Sequence, residues 1–223
     1  MATQSLQILF EDDDLLAVFK PSGLNSQPTV DKKKANVYDL LKKEKEVYLH
    51  HRLDKETSGV MLLGKSKRAN KPLGEMFQQH SFVRTYWALA KKKDYPESWC
   101  VENYLRQFRH KGQLKQQVRK SGGDYAKTEF KKLEEFDNSL LIQAQPITGR
   151  MHQIRIHLAC EQTPIWGDNL YGGKCDWVPR LMLHAYTMEF THPFSHERLI
   201  IRAPLAKDFE TVLHNLRNRT LNN

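Results

Sequence analysis

His51-Arg52-Leu53-Asp54-Lys55-Glu56-Thr57-Ser58-Gly59, followed at once by Val60-Met61-Leu62-Leu63 and Gly64, is the stretch from which the rest of the chain is best approached. The apolar run bounded by Gly64 predicts a short buried strand, and Thr57-Ser58-Gly59 is a turn signal leading into it. Asp54 thereby falls in a loop at the mouth of a sheet, where a rigid strand fixes the loop and catalytic groups often lie. The same residues fit a second reading, in which Asp54 and Thr57 close an Asx-type turn and Arg52 neutralises a neighbouring carboxylate. The residues alone leave both open.

Outward from this stretch, strands are expected over 6–10 and 15–19 around the acidic turn Glu11 to Asp14, running into the turn Lys20-Pro21-Ser22-Gly23. Asn36 caps a helix through Lys43 with Val37, Leu40 and Leu41 inward. Lys67 to His80 reads as an amphipathic helix with Leu73, Phe77 and Met76 inward and Pro72 in its first turn or at a kink. Val83 to Ala90 is a strand, and Arg106 to Lys120 is a basic segment, either a mobile loop or an extended hairpin. Ala126 to Phe136 and Leu140 to Gln145 form an antiparallel pair, and Thr148 caps a helix through Cys160. A loop over 167–173, strands near 181–190 and 199–202, and a helix from Lys207 to Arg217 complete the chain. Many strands with few helices between them predict an α+β fold with a mixed, mainly antiparallel sheet and flanking helices. No repeat or linker marks a boundary, so a single domain over 1–223 is expected.

With 35 Lys and Arg against 26 Asp and Glu, the formal charge of +9 favours a polyanionic partner, nucleic acid first. Cys100, Cys160 and Cys175 are widely spaced and form no Cys-x-x-Cys pair, which suggests neither a disulfide framework nor a zinc ribbon and suits reduced thiols in the cytoplasm. No apolar stretch approaches the roughly 20 residues of a membrane span, and the acidic residues 11–14 are the wrong charge for a signal peptide.

The nonapeptide resembles the catalytic motif of the RluA-type family of pseudouridine synthases, and three more segments resemble that family's other motifs in order and approximate spacing. They are Lys20-Pro21-Ser22-Gly23, Arg84-Thr85-Tyr86, and Thr148-Gly149-Arg150-Met151-His152-Gln153-Ile154-Arg155-Ile156-His157-Leu158. The resemblance covers nearly the entire chain and implies a long bent antiparallel sheet with a central catalytic cleft. It implies that Asp54 is the catalytic carboxylate, Tyr86 the tyrosine against the target base, and Arg155 the arginine paired with the aspartate. Leu183, before His184-Ala185, matches the family's apolar pocket segment less closely. Many relatives carry an N-terminal S4-type RNA-binding domain, whereas here the resemblance starts near Met1, and no such domain is expected.

The implied reaction breaks the bond from N1 to C1′ of uridine, turns the uracil and rejoins it through C5, so it needs no redox change and no cofactor. Three routes are open to the carboxylate: attack on C1′, removal of a proton from C2′ to give a glycal, or attack on C6 of the base. Burial would raise the pKa of Asp54, and a paired guanidinium such as Arg155 opposes that shift. Tyr86 is placed by the resemblance to remove or relay the C5 proton, although an aromatic strand residue is by default a packing residue. Arg155 follows His152 by one helical turn, a spacing that a solvated basic face would share. His152, His157 and His184 have no acidic or cysteine partner at ligand spacing, so no metal is expected.

An RNA base must be flipped to reach such a residue, and Arg52 is a candidate to fill the gap it leaves. Arg150, His152 and Leu183 are further candidate RNA contacts, and Arg109, Lys111, Lys115 and Arg119, with Arg106, either follow the phosphate backbone or form a solvated loop. The leading expectation is therefore a monomeric isomerase acting on ribosomal or transfer RNA. The alternatives are a non-catalytic RNA-binding or ribosome-assembly factor on the same fold, and a base-excision enzyme.

Overall fold

The structure of the protein, a computed structural model, describes residues 5–31, 33–110 and 112–221. The chain divides into two compact units: residues 1–84 with 185–205, and residues 85–184 with 206–223.

In the first unit β1 (Ile8–Glu11), β2 (Leu15–Lys20) and β4 (Ser58–Gly64) are antiparallel neighbours, and the two-residue β3 (Tyr48–Leu49) pairs with the end of β4. Ser58 and Gly59 of the Thr57-Ser58-Gly59 signal thus already belong to the strand. Every residue of β4 is buried, which is why its sequence is a continuous apolar run rather than an alternating one. β10 (Leu183–Thr191) lies beside β4, with β11 (Arg198–Arg202) antiparallel to it. Helix α1 (Val37–Lys42) is capped by Asn36, whose side chain accepts from the Asp39 N–H as its sequence position predicts. Helix α2 (Lys67–Gln78), capped by Ser66, lays Ala69 and Leu73 on the sheet, where they join a core of Leu15, Val60, Leu62, Phe82, Met188 and Phe190. Pro72 sits inside α2 rather than in its first turn. The loss of about 3 kcal/mol that an interior proline brings is offset by that packing, each fully buried Leu or Phe giving roughly 1.5–3 kcal/mol.

The second unit is an antiparallel array in the order β5 (Val83–Lys91), β9 (Ser139–Pro146), β8 (Asp124–Glu135), β6 (Ser98–His110) and β7 (Gln113–Arg119). The basic segment is therefore a hairpin of β6 and β7, with Phe108 opposite Lys115 and Tyr104 opposite Arg119. Helix α3 (Gln153–Cys160) packs with Ile156 on Leu105, Ala126 and Tyr171. Helix α4 (Lys207–Leu221) runs one turn further than its sequence suggests and joins Asp208 to Arg180 through a bidentate pair at 2.6 and 2.8 Å. Strands that outnumber helices and pair mainly antiparallel make this an α+β protein, as expected.

Candidate active site

Asp54 is half-buried, between buried Leu53 and exposed Lys55, and the chain on both sides of it is clamped. Ser26 Oγ donates to the Leu53 carbonyl at 2.8 Å and accepts from the Leu53 N–H at 3.1 Å. Lys55 and Glu56 are held from the Lys20-Pro21-Ser22-Gly23 turn: Gly23 N–H reaches the Lys55 carbonyl at 2.8 Å, and Ser22 Oγ reaches that of Glu56 at 2.7 Å. Lys20 is wholly buried, and its ammonium donates to the carbonyls of Pro21 (3.0 Å), Leu24 (2.7 Å) and Lys55 (3.0 Å). A buried ammonium carries three donors, and these three carbonyls match them, which makes the burial tolerable. The turn itself closes through the backbone, Thr57 N–H donating to the Asp54 carbonyl at 3.1 Å.

Gly59, the second residue of β4, holds φ 122°, and a Cβ there would lie 2.1 Å from the Ala185 carbonyl oxygen, so only glycine fits. Upstream, His51 stacks on Phe77 with centroids 4.7 Å apart, and its Nε2 accepts the Leu62 N–H at 2.9 Å, tying the loop to β4. Part of His51 reaches solvent, but enclosure of the ring, with the charge of Arg84 and neighbouring His50, lowers its pKa to about 3. The ring is therefore neutral near pH 7, with its proton on Nδ1. Arg52 is exposed, as a residue that contacts RNA must be.

In the second unit, Tyr86 is half-buried on β5, opposite the small Ala144 of β9. Thr148 does not cap α3. It takes the Lys127 N–H at 3.0 Å and donates to Gln153 Oε1 at 2.7 Å. Gln153 also accepts from Arg150 N–H (2.9 Å) and donates to the Lys127 carbonyl and Thr128 Oγ1 (2.9 Å each), so both ends of its amide are satisfied within the fold. The helix starts after His152, which holds the left-handed conformation at φ 53° with no side-chain cap. Residues 153–158 are all buried, so Arg155, 5% exposed, is no part of a solvated basic face.

Arg155 has a partner that sequence reasoning missed. Its Nε and Nη2 donate to Asp168 Oδ2 and Oδ1 at 2.8 and 2.9 Å, a bidentate pair with Asp168 1% exposed, and its guanidinium lies 5.3 Å from the centre of the Tyr171 ring. No local signal pointed to it: Asp168 lies in a glycine-flanked loop 13 residues after Arg155, and Ile154 and Ile156, one position away on a helix, do not fix which way Arg155 faces.

Of the candidate RNA contacts in this unit, Arg109, Arg119 and Arg150 are exposed, Leu183 is buried, and Lys111 lies outside the described residues. Lys115 Nζ donates to the Leu170 carbonyl at 3.2 Å, and His152 Nδ1 lies 3.0 Å from the Tyr171 hydroxyl, so both are engaged within the fold. His157 is wholly buried, its Nε2 lying 3.2 Å from Asn103 Oδ1, and burial lowers its pKa to about 4. Among the described residues no three His, Cys, Asp or Glu side chains cluster as metal ligands would, and no helix is long and apolar enough to cross a membrane.

Residues 14–160 match the family model for RNA pseudouridylate synthase. An uncharacterised RNA pseudouridine synthase of Helicobacter pylori is 37% identical over 91% of this chain and 67% of its own length. The ribosomal large subunit pseudouridine synthase C of Vibrio vulnificus is 34% identical over 94% and 69%. Among solved structures, human RNA pseudouridylate synthase domain containing 4 superposes with a TM-score of 0.77 at 27% identity, covering 95% of this chain and 93% of that one. The chain belongs to the RNA pseudouridylate synthase family. It is an RNA pseudouridine synthase of the RluA type, an isomerase that turns uridine into pseudouridine within an RNA chain.

Proposed function

We propose that the protein isomerises specific uridines of ribosomal or transfer RNA with Asp54 as its catalytic carboxylate, and that it does so as a monomer with a single catalytic domain in the cytoplasm. The observation that carries the reading is the clamp on Asp54. Residues before and after it are pinned by Ser26, Lys20, Ser22 and Gly23, while the aspartate itself stays partly exposed. Such a loop gives a fixed carboxylate at little entropic cost on reaction. Relatives whose names specify the ribosomal large subunit favour ribosomal RNA as the target.

In this reading Asp54 opens the glycosidic bond by one of the three routes open to a carboxylate. Arg155 supplies the cation that keeps it ionised, and Tyr86 handles the C5 proton. Arg52 fills the space left by the flipped base. The exposed Arg109, Arg119 and Arg150 complete the RNA-contacting set, and neither metal nor cofactor takes part.

The test is product analysis after incubation with transcripts of large-subunit ribosomal RNA and of transfer RNA. Pseudouridine at one or a few positions of an otherwise intact chain is expected. An abasic site would indicate a glycosylase. Tight binding with every uridine unchanged would indicate a non-catalytic RNA-binding protein.

A further inference from the structure

The loop from Ile165 to Gly173 is built around Asp168. Its Oδ1 accepts from Arg155 Nη2 at 2.9 Å, Leu170 N–H at 3.0 Å and Tyr171 N–H at 3.1 Å, while Oδ2 accepts from Arg155 Nε at 2.8 Å. The backbone closes through Gly167 N–H to the Gly173 carbonyl (2.7 Å) and Gly173 N–H to that of Asp168 (2.8 Å). A Cβ on Gly167 would meet the Arg180 carbonyl oxygen at 1.9 Å, and one on Gly173 that of Ile165 at 1.7 Å, so the loop has no slack. The hairpin grips it from outside: Lys115 Nζ holds the Leu170 carbonyl at 3.2 Å, and Gln116 N–H the Tyr171 hydroxyl at 2.8 Å.

Closing a turn needs only an acceptor for two N–H groups, which an asparagine supplies. A carboxylate is needed for the fork with arginine, whose plane it fixes in two directions. A guanidinium has five N–H donors, and the fork uses two of them along one edge, which defines where the others point. From this geometry we infer that Asp168 is a positioning residue of the isomerase. Buried, with both oxygens accepting within the fold, it acts through Arg155: it sets the plane of that guanidinium and so the direction of its remaining donors. The inference rests on the role given to Arg155 in the proposed function.

The test is single-turnover kinetics at saturating enzyme, in which the rate constant reports positioning and the amplitude reports the folded fraction. Asp168→Asn is expected to lower the rate constant at least roughly tenfold, as small displacements of catalytic groups do, with amplitude and RNA affinity retained. In an Arg155→Lys background the same change should cost less than about twofold, because the fork it serves is already gone. Should the asparagine variant lose its amplitude, Asp168→Glu keeps the charge and displaces the fork by one methylene, and the same drop in rate constant is expected.

A wild-type rate constant at normal amplitude in either variant would overturn the inference. So would a loss that is undiminished in the Arg155→Lys background, which would mark a general structural effect. Asp54→Asn is run alongside. If it is inactive while Asp168→Asn turns over normally, only the role of Asp168 falls, whereas an active Asp54→Asn removes the proposed function itself.

Discussion

Ser26 and Leu53 hold each other twice, Oγ to carbonyl at 2.8 Å and N–H to Oγ at 3.1 Å, although they are 27 residues apart. Leu53 is the residue before Asp54, and both partners of the clamp are nearly wholly buried. One hydroxyl therefore satisfies both backbone groups of Leu53 where water cannot.

Ser26→Ala should leave that N–H and carbonyl unsatisfied and lower stability by about 1–3 kcal/mol. Because the freed segment carries the aspartate, the single-turnover rate constant should fall as well, more than RNA affinity does. Chemical denaturation and single-turnover assays check both. A variant as stable and as fast as wild type would mean that the clamp does not fix the loop.

Acid should destabilise the protein through His157. Its folded pKa is lowered to about 4 by burial, against roughly 6.5 in the unfolded chain, so between those values the unfolded state binds the extra proton. The contribution is complete above about pH 6.5. It falls by up to about 1.4 kcal/mol per pH unit as the pH drops, and levels off below about 4. His51 acts in the same sense down to about pH 3. His157→Gln, which keeps a donor near Asn103 and cannot titrate, should flatten the fall in stability by one proton in this window. Urea melts from pH 7 to pH 4 measure it, and equal slopes in the two proteins would contradict the assignment.

The hairpin offers a separable prediction about binding. Arg109 and Arg119 are exposed, whereas Lys115 is bonded to Leu170, so the two arginines are the clean probes of phosphate binding. Replacing both with Gln should weaken RNA binding and reduce the slope of log affinity against log salt by about 0.7–0.9 for each phosphate that is no longer neutralised. The rate constant on saturating RNA should stay near wild type. Superimposed salt titrations would mark the hairpin as a solvated surface.

Much of this was legible in the sequence because local signals agreed with the fold. Gly64 and the run Val60 to Leu63 point to β4, Asn36 and the apolar spacing after it to α1, and Asp137-Asn138-Ser139 to the turn between β8 and β9. What escaped was decided by distant partners. The first half of β6, from Ser98 to Leu105, alternates exposed Cys100, Glu102 and Tyr104 with buried Val101 and Leu105, a pattern diluted by its own polar residues. Thr148 has the sequence position of a cap but does not act as one, because Gln153, anchored to β8, claims its hydroxyl. Residues 153–158 of α3 are all buried, polar and apolar alike, so its sequence has no solvent-facing polar stripe to give away its orientation. Asp168 has the sequence setting of an ordinary turn residue, and only the burial of Arg155, 13 residues earlier, reveals it as half of an ion pair.

Asp54 carries the proposed chemistry, and the measurement that tests its role most directly is the single-turnover rate constant of Asp54→Asn on an RNA that the wild-type protein modifies, with pseudouridine quantified as product. Asparagine keeps the shape of the side chain and removes its charge. RNA affinity and melting temperature should be unchanged while pseudouridine formation disappears. Retention of more than about a tenth of the wild-type rate, a change of less than about 1.4 kcal/mol in the barrier, would show that Asp54 is not the catalytic carboxylate.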